Sequence, residues 1–167
     1  MSHRNLHLLF SYGTLRNPEI QKRLFGTVLR QTPARLIGHA VYECQKDGYY
    51  FLKKESGSEV EGHLIELNDE QLWICDQWEE VPLYIQEVVQ VETPGGHQDA
   101  IVYRKTNAAG NVRVNLSRKS TYSAHILEDT LREAEAFRTR IESFPEYKTV
   151  IQKRLSHLSA TDSENKQ

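Results

Sequence analysis

Two short stretches of this chain carry residue types that could do chemistry. The first is Phe10-Ser11-Tyr12-Gly13-Thr14-Leu15-Arg16, followed at once by Asn17-Pro18-Glu19. An apolar run (Leu6, Leu8, Leu9, Phe10) ends there in a glycine turn that passes straight into a helix start. Such a junction leaves several backbone N–H groups unpaired and pointing outward, and groups of this kind bind carboxylates, phosphates or developing oxyanions. The second stretch is Leu72-Trp73-Ile74-Cys75-Asp76-Gln77-Trp78-Glu79-Glu80-Val81-Pro82-Leu83-Tyr84. On a helix, Leu72, Cys75, Asp76 and Glu79 share one face, so Glu79 sides with apolar residues that look inward while Glu80 points away. A carboxyl group held in low dielectric at a helix end is pushed toward neutrality, where it can accept and return a proton. The plainer alternatives are a solvated helix-end acid at Glu79 and an ordinary turn at Gly13. Tyr84, Tyr103 and Tyr122 could each donate a hydrogen bond into a pocket or serve as strand and rim aromatics.

The elements that must position these residues follow from pattern. Asn17 suits a helix N-cap, Pro18 its first position and Glu19 its first turn, and Gly26 stops the helix after Leu24 and Phe25. Strands are expected near Ala34 to Cys44, over Tyr49 to Lys53 and over Val60 to Leu67, with a turn at Glu55-Ser56-Gly57-Ser58. Asn68-Asp69-Glu70 caps and charges a second helix running to about Glu79, and Pro82 stops it. Tyr84 to Val91 alternates as a strand, with Ile85, Glu87, Val89 and Val91 on one face. Pro94-Gly95-Gly96 turns into a return strand over Ala100 to Tyr103, and Asn107 to Asn111 is a loop. From Ser123 the pattern becomes helical, with Leu127, Leu131, Ala134, Phe137 and Ile141 on one face. Ser143-Phe144-Pro145 breaks it, Tyr147, Ile151, Leu155 and Leu158 suggest a further helix, and the polar tail 159–167 reads as disordered. The expectation is one domain over 1–158, with 123–158 as a helical extension and an antiparallel, barrel-like sheet before it.

Composition narrows the function. With 167 residues and 38% hydrophobic content the chain can bury a core without a disulfide or metal staple. A net charge of -2 gives no electrostatic reason to expect nucleic acid as a partner. No apolar run approaches the roughly 18 residues of a membrane span, and the first residues lack a signal-peptide core. Cys44 and Cys75 are expected to be buried and reduced, which fits a soluble cytoplasmic protein. The seven histidines are scattered without ligand spacing, so no metal is expected. Walker, G-x-G-x-x-G and G-x-S-x-G motifs are absent.

In order and spacing, the two stretches together resemble the γ-glutamylcyclotransferase-like superfamily, which includes the γ-glutamylamine cyclotransferases and the AIG2-like proteins. The resemblance rests on Tyr12-Gly13-Thr14-Leu15 at a strand end, on Asp76-Gln77-Trp78-Glu79-Glu80 downstream, and on Tyr84 opening a Val-rich strand. Glu59-Val60-Glu61-Gly62-His63-Leu64 is similar to the strand before the family's catalytic helix. The likeness covers about Leu8 to Tyr103, and more loosely Tyr122 and Phe144-Pro145-Glu146-Tyr147. It implies an α+β fold, a mixed and mainly antiparallel β-barrel with a few surrounding helices. It also implies a cofactor-free reaction in which the α-amine of a γ-glutamyl group attacks its own γ-carbonyl and closes 5-oxoproline. By position, Glu79 matches the acid/base glutamate, Tyr12, Gly13, Thr14 and Leu15 the substrate-binding loop, Tyr84 a pocket tyrosine and Tyr122 a later one. Two positions depart from the pattern: Glu80 stands where Gly is common, and Gln86 where Arg follows. These bear on substrate identity more than on the chemistry.

The residue types suit that reaction. One carboxyl group near neutral pKa can take the proton from the α-ammonium and give one to the leaving amine. The nucleophile belongs to the substrate, so no Ser, Cys or metal is required. The expected partner is a small γ-glutamyl molecule, with neither nucleic acid nor membrane, and the oligomeric state is left open. A rival reading is a non-catalytic module binding a small anionic metabolite in the same pocket. A third keeps the ring closure but puts the γ-glutamyl group on a larger carrier.

Overall fold

Alternation along the first strand, β1 (His7–Ser11), divides the apolar residues between two cores. Leu8 and Phe10 face the inside of a barrel, whereas Leu9 faces the helices packed on its outside. The computed structural model describes residues 6–46, 50–79, 84–106, 108–110, 112–113 and 124–145, with the side chains of the last helix from 128 onward. Its strands are β1, β2 (Gln31–Glu43), β3 (Tyr50–Leu67), β4 (Tyr84–Thr93), β5 (Gly96–Lys105) and β6 (Val112–Arg113). Its helices are α1 (Pro18–Phe25), α2 (Asp69–Trp78) and α3 (Ala124–Ile141).

The strand order β3-β1-β5-β4-β2 closes through a β2–β3 pairing, giving a five-stranded mixed barrel, and β6 adds to β2. Among the described residues only the β1–β5 pairing is parallel, at Leu9 and Ile101. Closure pairs the edges that an open sheet would leave exposed. Phe10, Leu36, Val41, Val60, Leu64, Val91 and Val102 fill the interior. Outside, Leu9, Ile65 and Leu67 pack under Ile20 and Leu24 of α1, Ile74 and Cys75 of α2, and Ala134, Phe137 and Ile141 of α3. Trp78 meets the Phe137 ring edge-on, with centroids 5.3 Å apart.

The caps form as the sequence predicts. The Asn17 side chain accepts the Glu19 N–H at 2.9 Å, and Gly26 takes the left-handed conformation (φ 76°) that ends α1. Asn68 and Gln71 form a reciprocal capping box at 2.8 and 2.9 Å that fixes where α2 begins, and hence where it ends beside Glu79. Asn68→Ala is expected to lower stability by about 1 kcal/mol, read as a shifted urea midpoint with an unchanged slope. A midpoint equal to wild type would contradict it.

Among the differences between structure and expectation, three concern the first half of the chain. A 3-10 turn, Thr14–Arg16, stands between β1 and α1, so the strand does not pass directly into the α-helix. The predicted turn at Glu55 to Ser58 is no reversal. The strands expected on either side of it join as β3, which pairs with β2 before and after that stretch. The register passes from Ile37 opposite Glu59 to His39 opposite Lys54, leaving four β3 residues against Gly38 alone. That makes a bulge, with Gly57 at φ 83°. Glu55 holds it, accepting from the Tyr42 and Ser58 hydroxyls and pairing with Arg113. Finally, the first strand of that pair starts at Gln31, ahead of Ala34, because Gln31 to Pro33 continue the ladder to His63, Leu64 and Ile65. Tyr122, the helix suggested after Pro145 and the tail 159–167 lie outside the described residues.

Candidate functional site

Two element ends carry the candidate site, the end of β1 and the end of α2. Tyr12 leaves β1 packed against the interior core. The turn that follows is braced by Gln21, which is fully buried. Its amide donates to the Leu15 carbonyl at 2.8 Å and its carbonyl accepts the Leu29 N–H at 2.9 Å. Within the turn, the Gly13 N–H reaches only the Ser11 hydroxyl, at 3.5 Å. The Thr14 and Leu15 N–H groups open the 3-10 turn and take no acceptor among the described residues.

Glu79 follows the last residue of α2, and its own N–H bonds back to the Cys75 carbonyl at 2.8 Å. The side chain is half-buried. Its charge is felt on three sides, adding to the burial that already raises the Tyr12 hydroxyl, the Cys75 thiol and the Tyr103 hydroxyl. Coulombic effects fall with distance, so this carboxylate is within electrostatic reach of both the end of β1 and β5. The Tyr12 phenol is pushed up first by burial, then by Glu79 and by Tyr84. It therefore stays protonated and is a hydrogen-bond donor at any physiological pH.

Tyr103 donates to Asp76 Oδ1 at 2.7 Å, and the Gln86 amide donates to the same oxygen at 2.6 Å. Burial, the neighbouring Cys75 and the Asp76 contact raise the Tyr103 phenol far above its ordinary value. Cys75 is wholly buried and its thiol is raised by burial, which makes it an inert packing residue. The Tyr84 ring is buried and lies near Tyr12, but its hydroxyl is spent on the Tyr50 carbonyl at 2.9 Å.

Of the residues singled out in the sequence, Glu79 and Tyr84 both act electrostatically on Tyr12, which leads directly into the Gly13–Leu15 turn. Tyr122 lies outside the described residues. Helical spacing assigns Asp76 a face but no task, and Tyr103 is open between a pocket donor and a strand aromatic. Their pairing spans 27 positions, and the only hint was that Asp76 stands one helical turn before Glu79. Gln21 carried no signal, since a polar residue in a short helix normally faces water. Among the described residues no group of three or more His, Cys, Asp or Glu is placed to hold a metal ion. No helix among them is long and apolar enough to cross a membrane.

His63 on β3 is the one side chain, among those described, with a buried polar atom lacking a partner, its Nδ1. Burial lowers its pKa, and the Arg16 charge lowers it further. The folded state therefore binds this proton less readily than the unfolded chain. The stability contributed by neutral His63 is complete above about pH 6.5 and is lost as pH falls from there through the folded-state value. Imidazole NMR is expected to place its midpoint below 6.5, and Arg16→Met to move it up. A midpoint at or above 6.5 in the wild type would contradict this.

The sequence profile described as "Gamma-glutamyl cyclotransferase, AIG2-like" matches residues 9–124. A Methanocaldococcus jannaschii protein whose name begins "Gamma-glutamylcyclotransferase" is 28% identical over 102 residues, covering 59% of this chain. The chain spans about half the length of that relative, 46%. A solved structure titled "Gamma-glutamyl cyclotransferase" superposes with a TM-score of 0.58 at 19% identity, over 89% of this chain and 99% of that one. An AIG2-like protein from Mus musculus gives 0.55 at 20% identity, over 72% and 92%. An Arabidopsis thaliana protein solved in solution gives 0.54 at 21%, over 85% and 86%. These structural likenesses establish the barrel.

Proposed function

The chain belongs to the gamma-glutamyl cyclotransferase, AIG2-like family, and from that premise we propose that it closes a γ-glutamyl group on itself, with Glu79 as the general acid/base. The α-amine attacks the γ-carbonyl carbon, a new C–N bond closes the five-membered ring, and the old C–N bond breaks. The products are 5-oxoproline and an amine or amino acid, and no water is consumed. Glu79 takes the proton from the attacking nitrogen and returns one to the departing nitrogen. The Thr14 and Leu15 N–H groups are the donors for the γ-carbonyl oxygen or the α-carboxylate. Tyr12 adds a neutral donor at the same place, and Tyr84 backs it. Written this way the reaction takes no cofactor, and the substrate is a small γ-glutamyl molecule. A cytoplasmic setting fits the free thiols of Cys44 and Cys75.

One observation carries the reading: burial raises the Tyr12 phenol at the end of β1, and the Glu79 carboxylate at the end of α2 is near enough to add to that rise. Incubation with a panel of γ-glutamyl amines and amino acids tests it, with 5-oxoproline measured against the released amine. Release of both supports the proposal. A ligand that raises the melting temperature and is recovered unchanged would instead mark a binding module.

A further inference from the structure

A cleft of about 200 Å³ opens where the 3-10 turn meets α1, β3 and α3. Thr14, Arg16, Asn17, His63 and Thr130 line it beside Gly13, with Ile20 also in the wall, so no side chain in the lining is acidic. Arg16 is its one cation. The Arg16 Nε donates to the Gly13 carbonyl at 3.3 Å, which steadies the guanidinium, and its terminal amino groups have no carboxylate partner among the described residues. Most other arginines of the described barrel and helices, by contrast, sit in ion pairs: Arg23, Arg35, Arg104, Arg113, Arg132 and Arg138. The His63 Nδ1 is buried and unpartnered in the same wall.

We infer that this cleft is an anion subsite, in which Arg16 and His63 receive a carboxylate or phosphate carried by the leaving group of the substrate. The inference rests on the proposed cyclotransferase reaction, because the cleft shares Gly13 and Thr14 with the turn assigned to the γ-glutamyl group. Its volume is below that of sites that enclose a whole small ligand, and it suits a single charged group. A fixed guanidinium gives such a group charge-assisted, directional bonds. His63 stays neutral beside Arg16 and supplies one N–H from Nδ1, completing a bond that the free protein leaves unmade.

The test compares γ-glutamyl substrates whose leaving amines carry a carboxylate, a phosphate ester or a neutral carboxamide, using wild type and Arg16→Met. The variant is expected to raise KM at least tenfold for whichever anionic arm the cleft accepts. Its kcat, and its KM for the carboxamide, should stay within twofold of wild type. A uniform change across all arms, or none, overturns the inference. A second readout does not need turnover: N-acetylalanine or inorganic phosphate, added to wild type, should raise the His63 midpoint, whereas N-acetylalaninamide should not. The rise should vanish in Arg16→Met. Absence of that rise overturns the inference even when 5-oxoproline forms. A rise without 5-oxoproline from any arm upholds the subsite and removes the cyclotransferase reading instead.

Discussion

Replacing Glu79 by Gln is expected to lower kcat for 5-oxoproline formation by about 10²–10⁴-fold while the barrel stays folded. The amide matches the carboxylate in shape, and the bonds that end α2 come from the Glu79 backbone N–H, which the substitution leaves in place. What disappears is the proton carrier. The alternative role, a charge that merely helps to orient the substrate, predicts a different pattern: a raised KM with kcat near wild type. The variant also has a signature independent of turnover. Because Glu79 contributes to raising the phenols of Tyr12 and Tyr103, its neutralisation moves both down. Circular dichroism and the melting temperature check the fold, and a variant as active as wild type would end the mechanism.

Gly62→Ala is expected to cost about 1–3 kcal/mol of stability, the range for forcing extra volume into a packed interior. A Cβ on Gly62 would run into the Ser11 carbonyl oxygen and come within 2.8 Å of the Phe10 ring. Neither obstacle can yield cheaply. Ser11 is held in register opposite His63 by the β1–β3 ladder, and Phe10 is almost completely buried. The residue after Ser11 is Tyr12, so any shift that relieves the clash displaces the turn bearing the Thr14 and Leu15 donors. Activity should therefore fall further than the unfolded fraction explains, at a temperature where the variant is still folded. A urea midpoint indistinguishable from wild type, with normal kcat, would contradict the close approach of these strands.

What could be read from the sequence was local. Asn17, Pro18 and Gly26 delimit α1, and Asn68 starts α2, because a cap acts within its own turn. Glu55 to Ser58 misled because Gly and Ser serve equally at a reversal and at a bulge. The choice between them lies in β2, whose ladder runs unbroken in direction past Gly38. The parallel β1–β5 contact and the closure through β2–β3 depend on strands distant in sequence, so no periodicity announces them. Strand patterning alone reached an antiparallel, barrel-like sheet, and its mixed character came only through the family resemblance.

The site divides in the same way. Helical spacing set Glu79 inward with Cys75, yet α2 ends at Trp78, so the cap geometry settles where the carboxylate goes. The Tyr103–Asp76 bond, the Gln21 brace and the unpartnered Nδ1 of His63 are tertiary, each joining elements that the chain order separates.

Product analysis in water enriched in oxygen-18 addresses the intramolecular attack most directly. If the substrate's own amine displaces the leaving amine, 5-oxoproline appears unlabelled and equimolar with the released amine, and free glutamate does not accumulate. Labelled glutamate would mean that water is the nucleophile and would contradict the account.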